Sequence, residues 1–130
     1  MKKILVIDDD KIFIKIFRDS IYKDHKNIYE VESAGNGEEG LAKIEVSRPD
    51  LIVLDIKMPK MDGIEFLRKL KEQKYETQTP VLISSNFSDA EKISEGLELG
   101  VIGYVVKSDY SMDSIIKRVH DVLGASIPGT

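Results

Sequence analysis

The sequence predicts an α/β fold, a doubly wound sheet of five parallel strands in the order 2-1-3-4-5 with helices on both faces. Three observations predict it. Short apolar runs alternate five times with segments of helical periodicity. The run Leu51-Ile52-Val53-Leu54 has no polar alternation, which fits a strand covered on both faces rather than one with a wet side. Polar and charged residues then stand directly after the apolar runs, at Asp8-Asp9-Asp10, Asp55, Ser84-Ser85 and Lys107, where open parallel sheets bind ligands. Right-handed crossovers leave few strand orders. In this order the first and third strands are neighbours whose helices leave on opposite faces, so the crevice lies between Asp8/Asp9 and Asp55.

In chain order, Lys3 to Ile7 is the first strand. Lys11 to Lys23 is a helix that places Phe13, Ile16, Phe17 and Ile21 at helical spacing. The second strand is Ile28 to Ser33. Asn36 with Glu39 three residues on makes a capping-box start for a helix to about Ser47, closed by Pro49. The third strand ends at Asp55, and Asp62 with Glu65 starts the third helix, bearing Ile64, Phe66, Leu67 and Leu70. A polar loop from Gln73 to Thr79 leads through Pro80 to a fourth strand, Val81 to Ser84. Ser88 and Glu91 cap a helix that Gly100 ends. Gly103 to Val106 is the fifth strand. Ser111 starts a last helix bearing Ile115, Ile116, Val119, Val122 and Leu123 up to Gly124.

Composition narrows the function. With 130 residues, 42% of them hydrophobic, the chain fits one core, expected over residues 1–125 with 126–130 as a tail or linker stub. The absence of cysteine excludes disulfides and thiolate metal sites. No apolar run approaches the roughly 20 residues of a membrane span and no leader precedes the first strand, so a soluble, cytoplasmic protein is expected. A net charge of -4 argues against direct nucleic-acid binding. His25 and His120 lack ligand spacing and are expected at the surface.

The chemistry is concentrated at one edge. Asp8, Asp9 and Asp55 converge there. Packed carboxylates repel one another unless a cation neutralises them, and an all-oxygen cluster suits a hard divalent ion such as Mg²⁺. Asp10 needs only the favourable place of a carboxylate at a helix start. Ser84 and Ser85 close the fourth strand and Lys107 follows the fifth. A carboxylate nucleophile, a divalent cation, a fixed ammonium and a hydroxyl donor together suit phosphoryl transfer onto an aspartate.

Asp8-Asp9, Asp55 followed by Met58-Pro59-Lys60-Met61-Asp62-Gly63, Ser85 five residues after Pro80, and Gly103-Tyr104-Val105-Val106-Lys107 closely resemble the receiver domain of bacterial two-component response regulators. The resemblance covers nearly the whole chain and implies the flavodoxin-like (βα)5 fold. It implies Asp55 as phosphoacceptor, Asp9 as a direct Mg²⁺ ligand, Asp8 acting mainly through water, and Lys57 lending its backbone carbonyl. Lys107 would pair with the acyl phosphate and Ser85 would bond one of its oxygens. The donor would be a histidine kinase or phosphotransfer protein, and the output would pass to a downstream effector protein or domain. A regulatory acceptor is implied rather than an enzyme, one that assists its own phosphorylation and dephosphorylation.

Two departures from the family pattern stand out. Asn86 occupies a position usually held by a small residue, where its amide would crowd the incoming phosphoryl group. Ser108 replaces the usual proline after Lys107, and a cis bond before a non-proline residue costs about 2.5 to 4 kcal/mol, so a trans or a strained bond is expected. Lys57 and Phe87 would flank the site and govern water access. Tyr104 would turn inward when the loop after Ser85 closes. The chief rival is Gly35-Asn36-Gly37-Glu38-Glu39-Gly40, a literal G-x-G-x-x-G with Asp55 at dinucleotide-binding spacing. Glu38 and Glu39 stand where a pyrophosphate would sit, and no second mononucleotide half follows. A receiver-like interaction domain that is never phosphorylated is a further alternative, disfavoured by the complete acidic set.

Overall fold

The structure, a computed structural model, describes residues 1–25, 28–72, 79–86, 90–108 and 110–124. Ten elements alternate: β1 (Lys2–Ile7), α1 (Lys11–His25), β2 (Tyr29–Ala34), α2 (Gly37–Ser47), β3 (Leu51–Leu54), α3 (Gly63–Glu72), β4 (Val81–Ser85), α4 (Ala90–Glu98), β5 (Gly103–Val106) and α5 (Met112–Gly124). The strands are parallel in the order β2-β1-β3-β4-β5, as the alternation predicts. β4 runs one residue further than expected. The Lys107 amide donates to the Ser85 carbonyl at 2.7 Å, so the ladder to β5 takes in Ser85 as well as Ser84.

Every side chain of β3 is buried because the two faces feed two cores. Val6, Leu51, Val53 and Leu82 pack with Phe13, Phe17, Ile115 and Val119 of α1 and α5. Ile7, Ile52, Leu54 and Ile83 pack on the other face with Ile44, Ile64, Phe66 and Ile93 of α2, α3 and α4. Burial of such side chains stabilises the fold by roughly 1.5–3 kcal/mol each, and it also fixes which way each residue beyond a strand must leave.

The predicted caps recur as hydrogen bonds. Asn36 Oδ1 accepts from the Glu39 amide at 3.0 Å, while the Glu39 carboxylate accepts from Gly35, one residue before the expected partner, at 2.9 Å. Asp62 Oδ1 accepts from the Glu65 amide at 2.9 Å, and Asp10 Oδ1 from the amides of Ile12 and Phe13. The Ser88 cap, most of the 73–79 loop and the 126–130 tail lie outside the described residues, as does the His25 side chain. α2 stops where Arg48 turns left-handed at φ 49, the α conformation being disfavoured before Pro49. Gly100, at φ 94, turns the chain out of α4.

Two glycines of the G-x-G-x-x-G pattern, Gly37 and Gly40, serve packing. A Cβ on Gly40 would stand 2.6 Å from Ile7 Cδ1, and one on Gly37 would stand 2.9 Å from the Met61 side chain. They bring α2 onto the sheet and α3, which accounts for the pattern without a cofactor. His120 corrects an expectation. It is half-buried, and its Nδ1 lies 2.6 Å from the hydroxyl of the fully buried Tyr29, with the rings edge to face. Its place on the inner side of α5 follows from helical phase against β2, a contact that sequence spacing does not show.

Candidate functional site

The site begins with the register of β1 and β3. Ile7 lies opposite Leu54, so Asp8 and Asp55 leave adjacent strands side by side at the carboxyl edge. The Asp55 amide still donates to the Ile7 carbonyl at 2.9 Å, which holds this residue in the strand direction. Asp9 follows on the loop. Ligand oxygens of Asp8, Asp9 and Asp55 all lie within 4.8 Å of one another. Asp8 and Asp55 are buried, and Asp9 is exposed.

Lys107 enters from β5. Its Nζ lies 2.5 Å from Asp8 Oδ2 and 3.9 Å from Asp55 Oδ2, so it pairs with Asp8 and only approaches Asp55. The Phe13 ring, with its centroid 4.1 Å from Nζ, supplies a π face on the side away from solvent. Asp8 Oδ1 accepts from the Asp10 amide at 2.9 Å. These contacts fix both ends of the buried ion pair, which compensates part of the cost of taking two charges out of water.

The turn from β3 to α3 closes the other side. The Gly63 amide donates to the Ile56 carbonyl at 2.7 Å, and a Cβ on Gly63 would collide with the Asp55 carbonyl oxygen and stand 2.9 Å from Ile56 Cα. Only glycine lets the helix start press on the backbone that carries Asp55. In between, the Met61 amide bonds to the Pro59 carbonyl at 2.7 Å around Lys60, at φ 67, a tight γ-turn rare for a residue with a side chain. The turn leaves an open depression of about 430 Å³ lined by Asp9, Ile56, Lys57, Met58 and Asp62.

Among the described residues, carboxylates outnumber ammonium groups at the site. Burial pushes the Asp55 carboxyl up to about 7, and the charges of Asp8 and Asp9 push the same way while Lys107 opposes them. Burial raises Asp8 as well, against the pull of its lysine partner. Three carboxylates facing one ammonium, with only oxygen donors, make an arrangement that suits a hard divalent cation.

Residues 4–120 match the response regulator receiver domain family. The chain belongs to this family. It is 38% identical over 126 residues to the alkaline phosphatase synthesis transcriptional regulatory protein PhoP of Bacillus subtilis, covering 96% of this chain and 50% of that protein. It is 37% identical over 108 residues to protein-glutamate methylesterase/protein-glutamine glutaminase 1 of Syntrophomonas wolfei, covering 82% of this chain and 30% of that protein. The chain thus spans half or less of the length of these curated relatives. Among solved structures, the chemotaxis response regulator CheY4 of Vibrio cholerae superposes with a TM-score of 0.81 at 32% identity, covering 94% of this chain and 98% of that one.

In this receiver, Asp8, Asp9, Asp55 and Lys107 meet at one point. Ser85 is buried at the end of β4, and Asn86 beside it is exposed. Lys57 is exposed at the rim of the depression, and Tyr104 is 42% exposed on β5. Phe87 lies outside the described residues. The Lys107–Ser108 peptide is trans, there being no cis bond among the described residues. Sequence reading counted Phe13 only as a helical core residue and did not place it at the site. No local signal marks a phenylalanine that will underlie an ammonium 94 residues away in the chain.

Proposed function

We propose that this receiver accepts a phosphoryl group on Asp55 from a histidine kinase or phosphotransfer protein and thereby alters a partner-binding face. The observation that carries this reading is the convergence of three carboxylates on one ammonium at the sheet edge. A carboxylate attacking an anionic donor needs its charge offset, and Mg²⁺ held directly by Asp9 and Asp55, through water by Asp8 and by the Lys57 carbonyl would supply that. Lys107 would shift from Asp8 toward the transferred group, a distance its long stem spans without moving the sheet. Ser85 would donate a hydrogen bond to one of the new oxygens. The domain is read as residues 1–125 with a short tail. It acts as a regulatory acceptor rather than an enzyme, meeting kinase and effector in the cytoplasm, while the net charge of -4 disfavours direct nucleic-acid contact.

Mass measurement after incubation with acetyl phosphate tests the reading. One phosphoryl group per chain is expected with Mg²⁺, and none after chelation. Labelling that persists in chelator would separate the reaction from the acidic cluster.

Asn86 follows the proposed hydroxyl donor and its side chain is exposed, so its amide would crowd an incoming phosphoryl group. Asn86→Ala is expected to speed labelling several-fold at equal donor and Mg²⁺ concentrations, with unchanged Mg²⁺ affinity. Equal rates would place the amide off the path.

The output is expected through β5. Tyr104 is exposed, and drawing the loop after Ser85 toward Asp55 would leave room for the ring to turn inward. Beryllofluoride with Mg²⁺ is expected to shift the NMR signals of residues 88–99 and Tyr104, and Ser85→Ala should reduce that shift. Signals that stay put while those around Asp55 move would send the search for the partner surface elsewhere.

A further inference from the structure

Ser84 is fully buried, and its Oγ is a buried side-chain atom without a hydrogen-bond partner among the described residues. Leaving such a hydroxyl unpaired costs roughly 1–3 kcal/mol, so an apolar residue would suit a purely structural position better. Its place in the fold shows which residues share its face of the sheet. Ser84 stands two residues after Leu82 in the unbroken strand β4, and so shares the α1/α5 face of the sheet with it. Asp55 stands two residues after Val53, which packs on that same face, and its amide keeps it in the strand direction. Leu54 is paired with Ile83, which makes Ser84 the neighbour of Asp55 across the β3–β4 ladder. Adjacent parallel strands lie roughly 4.8 Å apart, and two side chains on one face at that spacing can close to a hydrogen bond by rotation about their χ1 bonds.

Lys107 shares this face. Its Nζ lies over Phe13, a member of the α1/α5 cluster. The strand order sets β4 and β3 between β5 and β1, so the ammonium that meets Asp8 is directed from its own backbone toward β4 and β3. The ammonium stops 3.9 Å from Asp55 Oδ2, too far for a hydrogen bond. A hydroxyl can accept and donate at once, which suits it to a gap between an ammonium and a carboxylate.

We propose that Ser84 is a positioning residue of the acceptor site, its hydroxyl accepting from the Lys107 ammonium and donating to the Asp55 side chain when the site is charged. The inference rests on the reading of Asp55 as acceptor. Ser85 at the end of the same strand serves the incoming group, whereas Ser84 serves the lysine and the acceptor themselves. In the uncharged site the hydroxyl is idle, so its removal helps the free protein and harms the loaded one.

The test compares Ser84→Ala and Ser84→Thr with wild type in two measurements. In chelator, Ser84→Ala should raise the thermal midpoint, because an unpaired buried hydroxyl is lost. Beryllofluoride with Mg²⁺, titrated against the same proteins, should bind Ser84→Ala about five- to tenfold more weakly, the worth of one hydrogen bond of about 1 kcal/mol, and threonine should restore most of the loss. The Lys107 Cε resonance of wild type should move on titration and move less in Ser84→Ala. A merely structural serine would change the midpoint and leave the affinity and the lysine signal alone. Equal affinities for wild type and Ser84→Ala therefore overturn this inference while the acceptor reading stands. Failure of beryllofluoride to bind wild type overturns both.

Discussion

Asp55→Asn is expected to reduce acyl-phosphate formation from acetyl phosphate and Mg²⁺ to background. The amide that replaces the carboxylate is nearly isosteric, so the fold and the Asp8–Lys107 pair should persist while the nucleophile is lost. Asp8, the other buried carboxylate, cannot substitute readily, because Lys107 occupies one of its oxygens at 2.5 Å and the Asp10 amide the other. Asp9 is exposed and keeps its place on the loop. Intact-mass measurement with and without hydroxylamine reads the outcome, since an acyl phosphate is cleaved by it. Undiminished labelling of Asp55→Asn, or phosphate stable to acid and hydroxylamine, would show that another side chain is the nucleophile.

The stability of the metal-free protein is expected to fall as pH rises from 5 to 8. In the folded chain the Asp55 carboxyl is raised from 3.8 to about 7 by burial and by its acidic neighbours, so the folded state holds this proton more tightly than the unfolded state. Stability contributed by that proton is complete below the unfolded value and is lost as pH passes through the folded one. Asp8, also raised, acts in the same direction. At about 1.4 kcal/mol per pKa unit, the loss reaches a few kcal/mol above pH 7, large for a domain of this size. Mg²⁺ should reverse it, stabilising the protein far more at pH 8 than at pH 5, and Asp55→Asn should remove most of the pH slope. Urea midpoints at the two pH values, with Mg²⁺ and with chelator, give the answer. A metal-free midpoint that is flat or rises with pH, in parallel with that of Asp55→Asn, would mean that Asp55 is not held against its charge.

The alternation of apolar runs with helical periodicity, the caps at Asn36 and Asp62 and the unbroken apolar run of β3 are local consequences of side-chain chemistry, and each was legible in the sequence. So was the edge on which the polar residues gather, because a strand buried on both faces can place a carboxylate only at its end. The gathering of Asp8, Asp9 and Asp55 follows from strand order alone, which right-handed crossovers nearly dictate. Only the tertiary structure decided that Lys107 rests on Asp8 rather than Asp55, that Phe13 lies against the ammonium, that Tyr29 holds His120, and that Ser84 buries a hydroxyl without a hydrogen-bond partner among the described residues. These are distances between residues far apart in the chain, set by helix phase and sheet twist to within an ångström or two. Local propensity is blind to them because a residue's sequence neighbours share its backbone conformation and not its partners.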